Sequence, residues 1–138
     1  MGRRMATKIL IVDDRPETLS DLVEQLKVHD YEVLFAADGV EALQKARQDK
    51  PAVIILDVMM PRLDGFQTAR MIKFDKQLKH TPVLILTVRT RPADRDAGLK
   101  MGADEYITKP FETGQLVERI RYWATKTAEP SPKSEPSS

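Results

Sequence analysis

Apolar residues in this chain follow two rhythms. Ile9-Leu10-Ile11-Val12, Val53-Ile54-Ile55-Leu56 and Val83-Leu84-Ile85-Leu86 are short unbroken runs with no polar residue to turn toward water. Such runs read as strands buried on both faces; the first begins at Lys8. Tyr31 to Ala36, rich in β-formers, and Asp104 to Thr108 read as two more strands. Between the runs the apolar spacing turns helical. Leu19, Leu22, Val23 and Leu26 follow Pro16, a residue suited to a helix first turn. Asp38-Gly39 marks a turn and a helix start, with Val40, Leu43 and Ala46 as a thin apolar face. Asp64-Gly65 opens a third helix with Phe66, Ala69 and Ile72 on one side. Pro92 starts a weaker helix through Lys100, closed by Gly102. A last helix covers roughly Glu112 to Lys126, with Leu116, Ile120 and Trp123 facing inward. Strand and helix alternate five times. That order predicts an α/β fold, a parallel five-stranded sheet with helices on both faces, because each parallel crossover needs a covering helix.

Composition narrows the class. At 138 residues, 41% apolar and 31% charged, the chain has enough material for one domain with a real core. The expected division is an N-terminal extension over 1–7, the α/β domain over 8–126, and a Pro/Ser-rich disordered tail or linker stub over 127–138. A net charge of +1, with basic residues spread along the chain, gives no reason to expect nucleic acid. The apolar runs are strand-sized, so no membrane span is expected. Met1-Gly2-Arg3-Arg4 lacks a following signal-peptide core, and Ala6 breaks the myristoylation pattern. The absence of cysteine excludes a disulfide scaffold and thiol chemistry and fits a cytoplasmic location.

Candidate chemistry gathers at the strand ends. Asp13 and Asp14 follow the first strand, Asp57 ends the third, Thr87 the fourth, and Lys109 follows the fifth. A parallel sheet brings all these ends to one edge, where ligands of open α/β sheets bind. Three carboxylates there repel one another unless a cation lies between them or their pKa values rise. Oxygen donors without Cys or His nearby select a hard ion, Mg²⁺ or Mn²⁺. A carboxylate can serve as nucleophile toward phosphorus, and an ammonium and a hydroxyl can hold phosphoryl oxygens. Taken singly, each residue has a plainer role: an Asp pair as a helix cap, Thr87 as structure, Lys109 as a solvated surface group. Their arrival at one edge together favours the chemistry. His29 and His80 lie in helix or loop segments without a local acidic partner and read as surface residues.

Ile9-Leu10-Ile11-Val12-Asp13-Asp14, Leu56-Asp57-Val58-Met59-Met60-Pro61 with Asp64-Gly65, Leu86-Thr87, and Gly102 through Phe111 together resemble the receiver domain of bacterial two-component response regulators. The likeness runs from about Lys8 to Trp123. It implies the flavodoxin-like doubly wound fold with strand order 2-1-3-4-5, as in the receiver CheY. It implies that Asp57 accepts a phosphoryl group from the phosphohistidine of a histidine kinase or phosphotransfer protein, and that the domain is a signalling phosphoacceptor rather than an enzyme. Asp14, Asp57 and the Met59 backbone carbonyl would ligate Mg²⁺, with Asp13 acting through water. Thr87 and Lys109 would bind phosphoryl oxygens, and the Lys109-Pro110 bond would be cis. Tyr106 takes the place of the switch aromatic, moving with Thr87; its plainer reading is an edge-strand aromatic with the hydroxyl in water. Met59 and Arg89 occupy positions that tune phosphoryl lifetime, here toward slow dephosphorylation.

The segment 91–121 carries Arg91, Asp104, Glu105, Glu118, Arg119 and Arg121, and resembles the face through which transcription-factor receivers form homodimers. A solvated mixed-charge surface is the alternative. With no output domain in view, the chain reads as a single-domain regulator or as a receiver from a longer one. Among rivals, a phosphatase of the haloacid dehalogenase type needs an acid where Met59 stands. A flavin module needs a Ser/Thr/Gly-rich loop where Asp13 and Asp14 stand.

Overall fold

The computed structural model describes residues 7–57, 65–88 and 102–128. The helix expected over 92–100, Met59, Arg89, Arg91, Asp64 and the tail beyond Ala128 lie outside the described residues. Five strands form one parallel sheet: β1 (Thr7–Val12), β2 (Tyr31–Ala36), β3 (Val53–Asp57), β4 (Val83–Thr87) and β5 (Glu105–Thr108). Their spatial order is β2-β1-β3-β4-β5, the doubly wound order expected. Four helices are described: α1 (Ser20–Val28), α2 (Gly39–Asp49), α3 (Gly65–Phe74) and α4 (Thr113–Ala128).

The unbroken aliphatic runs explain why the middle of the sheet is buried on both sides. Successive side chains of a strand point to opposite faces. Leu10, Val12, Ile54, Leu56 and Ile85 therefore meet Ala42 and Ala46 of α2 and Ala69 and Ile72 of α3 in one core. Ile9, Ile11, Ile55, Leu84 and Leu86 meet Leu22 and Leu26 of α1 and Leu116 and Ile120 of α4 in the other. All five residues of β3 and of β4 are buried. A one-residue slip in β1, β3 or β4 would exchange the two cores, so register is set from both sides.

Two expectations need correction, and a third, the inward-facing Trp123, holds in part, since it packs against the core. Pro16 begins a single 3₁₀ turn, Pro16–Leu19, and the α-helix proper starts only at Ser20. Val40 is exposed and is not part of the buried face of α2, which falls on Ala42, Leu43 and Ala46; a residue two positions before Ala42 points about 200° away round the helix. Trp123 is only half-buried: the inward stripe of α4 is Leu116, Val117, Ile120 and Ala124, and the indole N–H lies at its margin, donating to Glu105 Oε1 at 2.8 Å.

Helix α2 is fixed at its start by a reciprocal cap. Asp38 Oδ1 accepts from the Glu41 backbone N–H at 2.8 Å, and Glu41 Oε1 accepts from the Ala37 N–H at 2.8 Å. The Ala37 N–H, and then Lys45, hold the Glu41 carboxyl below its usual range. At the far end of the sheet Lys73 Nζ donates to the Thr81 carbonyl and to Asp104 Oδ2, both at 2.9 Å; Asp104 Oδ2 also accepts from the Val83 N–H at 2.8 Å. This clamp fixes the starts of β4 and β5 against α3. Gly102 lies beside it with φ at +103°, and a Cβ there would come within 2.7 Å of Lys73 Cγ.

Candidate functional site

The parallel sheet brings the carboxyl ends of β1, β3, β4 and β5 to one rim. Backbone bonds hold these ends in place: the Asp13 N–H donates to the Ala36 carbonyl at 2.9 Å, and the Lys109 N–H to the Thr87 carbonyl at 2.7 Å. Asp57 is the last residue of β3 and is 4% exposed. Lys109, directly after β5, reaches it with Nζ 2.5 Å from Asp57 Oδ2. The Lys109-Pro110 peptide is cis. Thr87 is fully buried at the end of β4.

Asp13 is equally buried, at 4% exposure. Its carboxylate does local work as well: Oδ1 accepts from the Arg15 N–H at 2.8 Å, closing an Asx turn, and the Thr18 hydroxyl lies 3.5 Å from Oδ2. Burial, and then the neighbouring Asp57 carboxylate, push the Asp13 carboxyl up to about 6, against the lowering effects of the Arg15 N–H and of Lys109. The turn role and the site role thus coexist in one side chain. Asp14 is exposed at the mouth of the same rim. Residues far apart in sequence, Asp13, Asp57, Thr87 and Lys109, therefore stand at one edge, with Asp57 touching the charge fields of both Asp13 and Lys109. Thr18 was not singled out in the sequence; an acid followed five residues later by a hydroxyl, across a proline turn, is the pattern that would have drawn attention to it.

Among the described residues, two buried carboxylates, Asp13 and Asp57, stand beside one ammonium, that of Lys109. That imbalance is the condition in which a hard divalent cation is favoured, since oxygen donors surround the gap and neither Cys nor His is near. Among the described residues, no three acidic, His or Cys side chains cluster closely enough to hold an ion by themselves. Asp13 and Asp57 fit the donor set of Mg²⁺, which takes only one or two carboxylates and fills its remaining positions with other oxygens. Met59 and Arg89 lie outside the described residues.

Tyr106 is buried, at 4% exposure, in the same core as Leu56 and Ile85. Its ring is thus packed in the core rather than lying on the surface of the edge strand. It sits opposite Ile85, two residues before the Thr87–Thr108 pair that ends the β4–β5 ladder. His29 and His80 are both exposed, as read from sequence, and His29 Nδ1 lies 3.2 Å from Arg121 Nη2. The charges of the segment 91–121 are partly committed within the chain. Arg119 makes a forked bond to Glu105 with its shortest distances at 2.8 Å, and Arg121 lies 3.7 Å from Glu118.

Comparison with known proteins agrees with this fold. The sequence model of the response regulator receiver domain matches residues 9–121. The alkaline phosphatase synthesis transcriptional regulatory protein PhoP of Bacillus subtilis is 38% identical over 131 residues, covering 95% of this chain and 54% of that protein. The chain spans about half the length of the curated relatives it matches. Among solved structures, the chemotaxis response regulator CheY4 of Vibrio cholerae superposes with a TM-score of 0.77 at 36% identity, over 86% of this chain and 99% of that one. The receiver domain of the sensor histidine kinase PA1611 of Pseudomonas aeruginosa gives 0.77 at 28% identity, over 88% and 99%; that structure has a magnesium ion coordinated in its active-site cleft.

Proposed function

The chain belongs to the response regulator receiver domain family, and from that premise we propose that Asp57 is its phosphoacceptor, taking a phosphoryl group from a phosphohistidine on a histidine kinase or phosphotransfer protein. The observation that carries this reading is the Asp57 carboxylate, buried at the end of β3, with Lys109 Nζ at 2.5 Å and Asp13 beside it. In the transfer, an Asp57 carboxylate oxygen forms a bond to phosphorus while the phosphorus–nitrogen bond to the histidine breaks. The imidazole leaves with the electron pair, and the product is an acyl phosphate. Lys109 offsets charge on the phosphoryl oxygens, and the Thr87 hydroxyl donates to one of them. Asp13, Asp14, Asp57 and the Met59 carbonyl would hold Mg²⁺, which when bound neutralises the incoming phosphate and the paired carboxylates. Thr18 and the Arg15 N–H keep Asp13 oriented toward that cluster.

The new charge at Asp57 draws the Thr87 hydroxyl, and Tyr106, two residues before the paired Thr108, senses that shift from within the core. The readout is a protein-contact face of the 91–121 segment, and a homodimer formed there would exchange the internal Glu105–Arg119 bonds for bonds between copies. No helix among the described residues is long and apolar enough to cross a membrane; the proposed place of action is the cytoplasm. The domain catalyses at most its own phosphoryl transfer and hydrolysis.

The test is mass spectrometry of the intact chain after treatment with a small acyl phosphate and Mg²⁺. Addition of a single phosphate that disappears in Asp57→Asn supports the reading; labelling that persists in Asp57→Asn overturns it. Gel filtration with and without a beryllofluoride phosphoryl mimic tests the pairing of copies.

A further inference from the structure

The rim chemistry leaves the opposite side of the α2–α3 layer unused, and that side is neither smooth nor neutral. A groove of about 760 Å³ opens between α2 and α3, with Leu43 and Arg47 on one wall and Arg70, Met71 and Phe74 on the other. Phe74 is 74% exposed, and Met71 is also exposed, so a soluble surface here presents an aromatic ring and a thioether to water. Arg70 lies with its guanidinium 5.3 Å from the centroid of the Phe74 ring, which holds the cation at the lip of the apolar floor.

The local charge is lopsided. From Gly65 to Thr81 the chain carries Arg70, Lys73, Lys76 and Lys79 against the single acid Asp75. Lys73 is committed to Asp104, and Asp75 is neutralised by Arg47, whose Nε donates to it at 2.8 Å. Arg70 and Lys76 form no ion pair among the described residues. The groove therefore offers an apolar floor flanked by two cations, with its one acid already covered.

We propose that the α2–α3 groove is a docking site for an acidic amphipathic helix of a partner protein, whose apolar stripe covers Phe74, Met71 and Leu43 while its carboxylates meet Arg70 and Lys76. A helix laid into a groove is the mode that uses such a surface, with apolar anchors one turn apart. The volume suits a few side chains. A membrane surface is the weaker occupant, because two cations contribute little to binding anionic lipid. Nucleic acid would use the cations and leave the apolar floor uncovered. The site is separate from Asp57, so its existence does not rest on the phosphoacceptor reading.

The experiment uses the full chain, isotope-labelled, and amide NMR. The probe is a synthetic helical peptide with a Leu/Phe stripe flanked by Glu; the comparison probes are the same peptide with Lys for each Glu, phosphatidylserine vesicles, and a short DNA duplex. The expected result is saturable shifts confined to 43–47 and 67–77 with the Glu peptide, and affinity lowered at least tenfold by Arg70→Glu and by Phe74→Ala. Both side chains are exposed, so both variants keep a dispersed spectrum and full labelling at Asp57. The proposal is overturned if the Glu peptide leaves those amides unmoved, if the Lys peptide binds as well, if Arg70→Glu binds undiminished, or if only vesicles or DNA act there.

Discussion

Two lysine–aspartate pairs lie at opposite ends of the same sheet, and they are built to opposite ends chemically. Lys73–Asp104, at the amino ends of β4 and β5, is saturated. Its carboxylate also takes the Val83 N–H, and its ammonium also takes the Thr81 carbonyl, so charge and hydrogen bonds close on each other. Lys109–Asp57, at the carboxyl ends, has a surplus: a second buried acid, Asp13, presses on the same cluster. In the first pair one acid meets one cation, and backbone groups bond to both. Among the described residues, the second sets two buried carboxylates beside one ammonium, a state that a cation or a transferred group can relieve. A buried ion pair is thus no indicator of a functional site by itself; the imbalance around it is.

Removing one partner from each pair separates the two roles most sharply. Asp57→Asn is expected to abolish acyl-phosphate labelling altogether while leaving the unfolding midpoint unchanged or raised, since it deletes one of two repelling carboxylates. Intact-mass spectrometry and urea unfolding read the two quantities on one sample. A large fall in stability would erase the distinction. At the other pair, Lys73→Met is expected to lower stability by about 2–3 kcal/mol, because it leaves a half-buried carboxylate without its cation. Labelling at Asp57 should persist wherever the variant is folded. Loss of labelling in a folded Lys73→Met protein would mean that the clamp belongs to the chemistry after all.

Gly102 gives a smaller probe of the same clamp. Alanine there meets two obstacles, a φ of +103° and Lys73 Cγ at 2.7 Å from the new Cβ. A cost of about 1–2 kcal/mol is expected. In combination with Lys73→Ala the cost should be less than additive, since the crowding atom is gone while the backbone strain persists. A double-mutant cycle with urea unfolding measures that difference, and full additivity would place the whole penalty in the backbone.

Sequence pattern carried the sheet well because buried parallel strands have no ambiguity of face: β1, β3 and β4 each hold four aliphatic residues in a row. It placed Asp57, Thr87 and Lys109 at one rim because parallel strands all end on the same side. It misjudged Val40 because a β-branched apolar residue in a helix first turn looks inward in a one-dimensional pattern. The two alanines that do face the core carry a weak hydrophobic signal. The Lys73–Asp104 clamp was invisible for a different reason: its members are 31 residues apart, and nothing in the sequence around Lys73 points to Asp104. The Phe74 groove escaped notice because a helical face with one Met and one Phe among basic residues does not say whether another helix covers it. The burial of Tyr106 could not be read from a four-residue edge strand that alternates on neither face clearly.

The subtlest consequence of the surplus at the rim is its pH dependence. The folded Asp13 carboxyl lies at about 6, above the ordinary Asp value of 3.8. An acid whose folded pKa is raised favours the fold while protonated. Its contribution is therefore fully present below about pH 4 and is lost as pH rises through about 6. Other carboxylates, such as Asp75 held low by Arg47, act in the opposite sense below pH 4, so the comparison must be made against Asp13→Asn. That variant keeps an oxygen for the Arg15 N–H and carries no titrating group. In chelator, its stability relative to the natural chain should grow between pH 4 and 6 by on the order of 1 kcal/mol, allowing for screening at the cleft mouth, and then level off. Millimolar Mg²⁺ at pH 7 should shrink the gap, because the ion compensates the ionised Asp13 and has less to gain from an asparagine. Urea unfolding at a series of pH values reads this directly. Parallel curves for the two proteins would mean that Asp13 and Asp57 do not press on each other, and the contrast between the two lysine–aspartate pairs would lose its electrostatic basis.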